Sequence, residues 1–188
     1  MYNIKTDLMR KILLIAMLGC LLLFLVVAVV ITVKSGTSFD AAFFSVCCGS
    51  IEIVGKAVGL KYKEMSTVIN TYLQSGLCVL SALWVTWDTV RRFLRRKTVG
   101  NGVLMSLGAV YGAAYIAGFV WVCKHYDMSL EAAFDLGYSE LVHLTQVYDI
   151  SYNNLNYLIF IVLFLVIIVG NMLIAKAVRH FQRERVMN

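Results

Sequence analysis

Glu140 and His143 are the pair whose spacing comes closest to a chemical site. A Glu-x-x-His sets a carboxylate and an imidazole on one helix face, as helical di-iron centres do. Such a centre needs a second copy and two further glutamates, and the corresponding stretch of the first half carries none. The pair therefore reads as part of an exposed polar face with Tyr138, Tyr148, Asp149 and Tyr152. Tyrosine at that density suits a recognition surface or an interfacial belt.

No other arrangement favours chemistry. Cys20, Cys47, Cys48, Cys78 and Cys123 form neither a Cys-x-x-Cys pair nor a His/Cys ligand cluster. Cys47, Cys48 and Cys123 fall at the outer interface, where a disulfide is conceivable. Gly-x-Ser-x-Gly, His-Glu-x-x-His, Walker A and dinucleotide fingerprints are all missing. The expectation is a non-enzymatic protein with no cofactor and no metal.

The elements that would carry these residues are membrane helices. The 188 residues are 60% hydrophobic and 15% charged, with a mean hydropathy of +0.78. Soluble domains are nearer half apolar and a quarter charged. Four apolar runs are long enough to cross a bilayer: Ile12–Val33, about Thr71–Trp87, Val103–Cys123 and Tyr157–Ala175. The second is short, so its helix should begin earlier, near Met65. Ile12–Val33 is too long for a signal-peptide core and reads as an uncleaved anchor. With no proline in the chain, straight helices without proline hinges are expected.

The formal charge of +6 is placed by topology and gives no sign of a nucleic-acid surface. Lys5, Arg10, Lys11, Arg91, Arg92, Arg95, Arg96, Lys97, Lys176, Arg179, Arg183 and Arg185 share one side of the four runs. Only Lys34, Lys56, Lys61, Lys63 and Lys124 share the other. The positive-inside rule then puts both termini in the cytoplasm. Trp84 and Trp87 mark the inner interface and Trp121 the outer. The basic cluster 91–97 also suits an anionic lipid headgroup. Ala41–Leu60 is nearly apolar too, but if it crossed, that cluster would have to be translocated. It is expected as an amphipathic or re-entrant outer helix, with Glu52 and Lys56 paired at i,i+4.

The chain also echoes itself. Ser38-Phe39-Asp40-Ala41-Ala42-Phe43 is answered 91 positions later by Ser129-Leu130-Glu131-Ala132-Ala133-Phe134. Val90-Arg91 is answered 88 positions later by Val178-Arg179. This predicts an all-α membrane protein: four transmembrane helices as two parallel-repeat hairpins, with amphipathic helices on the outer face. The first hairpin is 1–100, with outer segment 34–70. The second is 101–188, with outer segment 124–156, and Gly100-Asn101-Gly102 is the turn between them. Ser38 and Ser129 are expected helix caps. The outer segments carry net +1 and −4, so they could pair.

Within the bundle, Gly108, Gly112, Ala114 and Gly118 follow a small-x-x-x-small pattern that allows close helix approach. The third helix is expected to be central, and Asn171 should hydrogen-bond across helices. No charged residue lies in the middle of any run, which argues against a pump or proton-coupled carrier. Three function classes remain. The first is a multi-pass inner- or plasma-membrane protein that binds another membrane protein, as immunity or exclusion factors and accessory subunits of secretion or transport machines do. The second is an oligomeric channel or pore, and the third a small parallel-repeat transporter.

Overall fold

A computed structural model of the chain describes residues 19, 22, 23 and 25–187; for 180–187 it describes the backbone alone. The described residues are helical throughout, with no strand. The helices are α1 (Leu25–Ser35), α2 (Phe39–Val58), α3 (Tyr62–Arg95), α4 (Val99–His125), α5 (Leu130–Tyr148) and α6 (Tyr152–Arg179, continuing to Met187). Of these, α2, α3, α4 and α6 are long and apolar enough to cross a membrane. The start of the expected first span, Ile12–Val33, lies outside the described residues, as do Lys5, Arg10 and Lys11. The side chains of Arg183 and Arg185 are likewise not described.

The chain forms two compact units, Met1–Tyr62 and Lys63–Asn188. In the first, α2 begins one residue after Ser38, where a cap was expected. The Ser38 hydroxyl engages Asp40 instead of a backbone amide. The helix ends at Gly59, whose φ of 78° closes a left-handed cap with Leu60 N donating to Gly55 O. Glu52 and Lys56 pair at 2.7 Å on its exposed face. Tyr62 Oη lies 3.2 Å from Cys48 Sγ.

In the second unit, α3 packs against both α4 and α6. It runs 34 residues, about 51 Å at 1.5 Å per residue, well past a ~30 Å core. It starts at Tyr62, slightly before the expected Met65. The most extensive packing is thus made by the second expected span, while the third also reaches both neighbours, meeting α3 at Gly108 and Gly112 and α6 through Tyr111 and Asn171. The small hydroxyl residues of α3 offer hydrogen bonds and close approach together.

Two further expectations change. The break between α3 and α4 lies at 96–98, and Gly100-Asn101-Gly102 is already helical. Thr98 caps α4 by accepting from Asn101 N, and the Asn101 amide donates to Arg96 O at 2.8 Å. The reverse turn is thereby satisfied by side chains and needs no glycine. The helices also lack proline yet are not α-helical throughout. Val68–Leu73 of α3 and Tyr157–Leu163 of α6 are π-helical. Side chains take backbone carbonyls there: Ser75 donates to Thr71 O, and Asn156 to Tyr152 O at 2.9 Å.

Helix boundaries recur at a nearly fixed interval. α1 and α4 end at Ser35 and His125, 90 positions apart. α2 and α5 start 91 apart, at Phe39 and Leu130, and end 90 apart, at Val58 and Tyr148. Left-handed caps follow at Gly59 and Asp149, then helix starts at Tyr62 and Tyr152, each 90 apart. The π segments end at Leu73 and Leu163, again 90 apart.

Candidate functional site

Three polar layers cross the second unit, and the residues picked from the sequence distribute among them. The middle layer holds α3, α4 and α6 together. Asn171 is 2% exposed; its amide donates to Ser81 Oγ at 2.7 Å, and its carbonyl oxygen accepts from the Tyr111 hydroxyl. Tyr111 also reaches Tyr115 Oη at 3.3 Å. One asparagine thus satisfies both ends of its amide on two different helices, which matters where no water can substitute.

Beside this clasp, α4 meets α3 through glycine. A Cβ on Gly108 would lie 2.3 Å from Thr89 Oγ1, and one on Gly112 would lie 2.6 Å from Thr86 Oγ1. The Thr86 hydroxyl uses the closeness to donate to Gly108 O at 2.8 Å. Ala114 and Gly118 do not join this contact. They point to another face of α4, and a Cβ on Gly118 would meet nothing within 4 Å. The small-residue pattern therefore serves two faces, one closed by α3 and one open.

The layer at the α5 end ties that helix to the bundle. Glu140 meets His125 and not His143: its Oε1 is 2.8 Å from His125 Nε2, and its Oε2 accepts from Tyr126 Oη at 2.7 Å. Burial pushes the Glu140 carboxyl up, but these two hydrogen bonds outweigh it and hold the group below its ordinary range. Burial, then the bond to Glu140, pushes the Tyr126 phenol upward. Lys63 reaches Asp135 at 2.7 Å, joining the +1 and −4 outer segments, and Thr67 Oγ1 donates to Leu130 O at 3.0 Å. Tyr138 stacks on Phe134 with ring centroids 6.3 Å apart and meets Tyr152 at 5.4 Å in a tilted arrangement. His143, Tyr148 and Asp149 stay exposed on the far side, Tyr148 at 64%. No group of three His, Cys, Asp or Glu able to hold a metal occurs among the described residues. Cys47, Cys48, Cys78 and Cys123 are free thiols.

The layer at the opposite end divides the basic cluster. Arg92 points inward, donating to Asn101 Oδ1 at 2.9 Å and Val178 O at 3.4 Å. Asp88, buried, has Arg179 Nε 3.2 Å from Oδ2. That nitrogen donates along its helix to Ala175 O, so Asp88 Oδ2 receives charge without an aligned hydrogen bond. Arg91 lies over Trp87, 5.1 Å from the ring centroid. Arg95, Arg96 and Lys97 are exposed.

The residues not singled out from sequence are Ser81, Thr86, Thr89, Asn101, Tyr111, His125 and Tyr126. A signal existed for the threonines: Thr86 and Thr89 are three apart, as close-packed partners of Gly108 and Gly112 would need to be. His125 and Tyr126 carried none, since their partner is 14 or 15 residues away. No family model, curated protein or solved structure matches this chain.

Proposed function

We propose that this chain is a non-enzymatic multi-pass membrane protein that docks another membrane protein, through the open face of α4 and the tyrosine-bearing face of α5. The open face carries the argument. Ala109, Ala113, Ala114, Ala117 and Gly118 are exposed on α4, while Gly108 and Gly112 on its other side are closed by threonines. Small residues there let a second helix backbone approach closely, beside the exposed Leu107, Val110 and Trp121. Above it, α5 is fastened by Lys63–Asp135 and Glu140, which leaves Tyr138, Tyr148 and Val147 exposed.

The recurring boundaries support two parallel hairpins, each a span, an outer helix and a second span. On that reading α2, like α5, stays outside although its length and composition would let it cross. Both termini are then cytoplasmic. Parallel repeats of this kind relate by an axis along the membrane normal.

The test is a single cysteine at Ala117 in a cysteine-free background, cross-linked in native membranes, with Val166 as the control. A defined protein adduct at Ala117, lost on Ala114→Leu, supports docking. A cross-link that stays within one chain, or equal labelling at Val166, overturns it. An adduct between identical copies that assemble into a ring would favour the oligomeric-channel reading, which uses the same face.

A further inference from the structure

We propose that the inner end of α3 is a binding site for one anionic phospholipid, its phosphate bridged by Arg91 and Arg95. At about 100° per residue, Leu80, Trp84, Trp87, Arg91 and Arg95 form a single stripe along α3. All five are exposed, with Trp84 at 55% and Trp87 at 52%. The opposite side of the same helix carries the buried Ala82, Val85 and Thr89. The stripe therefore faces lipid. It is apolar over the depth of the acyl chains, indole at the interface and guanidinium just beyond.

Electrostatics supply the sign. Asp88 is the single acid between Met65 and Cys123, and it is committed to Arg179. Arg92 is committed to Asn101. Neither Arg91 nor Arg95 has an acidic partner among the described residues. Arg91 is held by Trp87, which fixes the guanidinium plane without neutralising it. Two guanidiniums four residues apart can share one phosphate, with donors left for a second headgroup oxygen. A zwitterionic headgroup would bring its own cation to a site that has no acid to receive it.

The site is independent of the docking face on α4, and its test reads neither docking nor activity. Purified protein is stripped of lipid in a neutral detergent. Binding of phosphatidylglycerol, phosphatidylcholine or inorganic phosphate is then followed by native mass spectrometry and by the shift in melting temperature. Phosphatidylglycerol should bind and raise the melting temperature, and the other two should not. Each arginine should contribute roughly fivefold, so Arg91→Gln with Arg95→Gln should weaken binding roughly twenty-five-fold. Lys34→Gln, outside the second unit, should leave it unchanged. Should the double variant not fold, the wild-type adduct is measured instead at 0.05 and 0.5 M salt, where screening should remove it. Equal binding of phosphatidylcholine overturns the proposal. So does a phosphate shift equal to that of the lipid, undiminished binding in the double variant, or an adduct indifferent to salt.

Discussion

Gly108→Ala should destabilise the bundle, while the chemically identical Gly118→Ala should not. The added methyl at Gly108 would sit 2.3 Å from Thr89 Oγ1 and 3.1 Å from both Thr89 Cβ and Cγ2. No rotamer of Thr89 clears it, because Cβ does not move with χ1. The helices must separate, and overpacking of this kind costs about 1–3 kcal/mol. At Gly112 the near atom is Thr86 Oγ1 at 2.6 Å, with Cβ at 3.5 Å. Rotating Thr86 there relieves the clash but gives up its bond to Gly108 O, worth on the order of 0.6 kcal/mol between membrane helices. Gly118→Ala meets nothing and gains up to about 1 kcal/mol of helix propensity. The order of stability should be Gly118→Ala, then Gly112→Ala, then Gly108→Ala. At about 2–4 °C per kcal/mol for a chain this size, the extremes should differ by several degrees in thermal melting of the detergent-solubilised protein. Thr89→Ala should rescue part of the Gly108→Ala loss, since it removes Oγ1 and Cγ2. Equal melting of the 108 and 118 variants, or no rescue, would refute the geometry of the α3–α4 contact.

Asn171→Leu should cost about 1–2 kcal/mol, because it removes the interhelical bonds to Ser81 and Tyr111 together; a melting temperature equal to wild type would rule out the clasp. Glu140→Gln should loosen α5, seen as faster amide exchange over residues 130–148 with α3 and α4 unchanged. The wild type should show the same loosening in acid. The folded-state carboxyl titrates below its ordinary 4.5, so its contribution is present above that value and is lost as pH falls through the depressed one. Exchange over residues 130–148 that keeps the same rate relative to α3 and α4 throughout an acid titration would count against the Glu140 tie. Finally, an impermeant thiol reagent applied to intact cells should label a cysteine placed at Tyr148 and spare one placed at Thr98. The reverse pattern would invert the topology.

The helical class and the approximate extents of α3, α4 and α6 were legible because bilayer thickness acts on composition alone. The starts of α2 and α5 were legible because Ser38 and Ser129 precede acid-Ala-Ala-Phe, a local signal. The π segments were not, since Ser75 or Asn156 can leave an α-helix intact as readily as widen it. The turn was misplaced because two glycines flank Asn101, whereas Thr98 and the Asn101 side chain satisfy the chain reversal three residues earlier. The Gly-x-x-x-Gly pattern showed where α4 packs closely, but the pattern is silent on the partner helix. That choice fell to Thr86 and Thr89, whose hydroxyls gain a carbonyl only when the backbones come near. The Glu140 reading failed for a related reason. His143 is its neighbour along one helix, while His125 becomes its neighbour only after the chain folds back.

The two halves match in their breaks far better than in what they put between them. On the duplicated-hairpin reading, α3 and α6 are equivalent helices, with starts and π segments about 90 positions apart. Yet α3 carries Thr71, Gln74, Ser75, Ser81, Thr86 and Thr89, where residues 158–175 of α6 hold Asn171 as their one strongly polar side chain. The difference follows from position. In the second unit α3 contacts both neighbours, so its polar groups can all find partners: Gln74 donates to Phe160 O, Ser81 accepts from Asn171, and Thr86 donates to Gly108 O. A helix with the same polar content and no packed neighbours would lose these interhelical partners and keep only bonds to its own carbonyls, as Ser75 makes to Thr71 O. α6 is apolar on its exposed faces, with Leu165, Val166 and Leu173 all exposed, as the membrane-spanning reading requires. α4 combines both conditions, closed against α3 through Gly108 and Gly112 and open through Ala114 and Gly118. Its open side sets Ala113, Ala114, Ala117 and Gly118 among the exposed Leu107, Val110 and Trp121. The small residues there allow a second backbone to approach, as the docking reading requires.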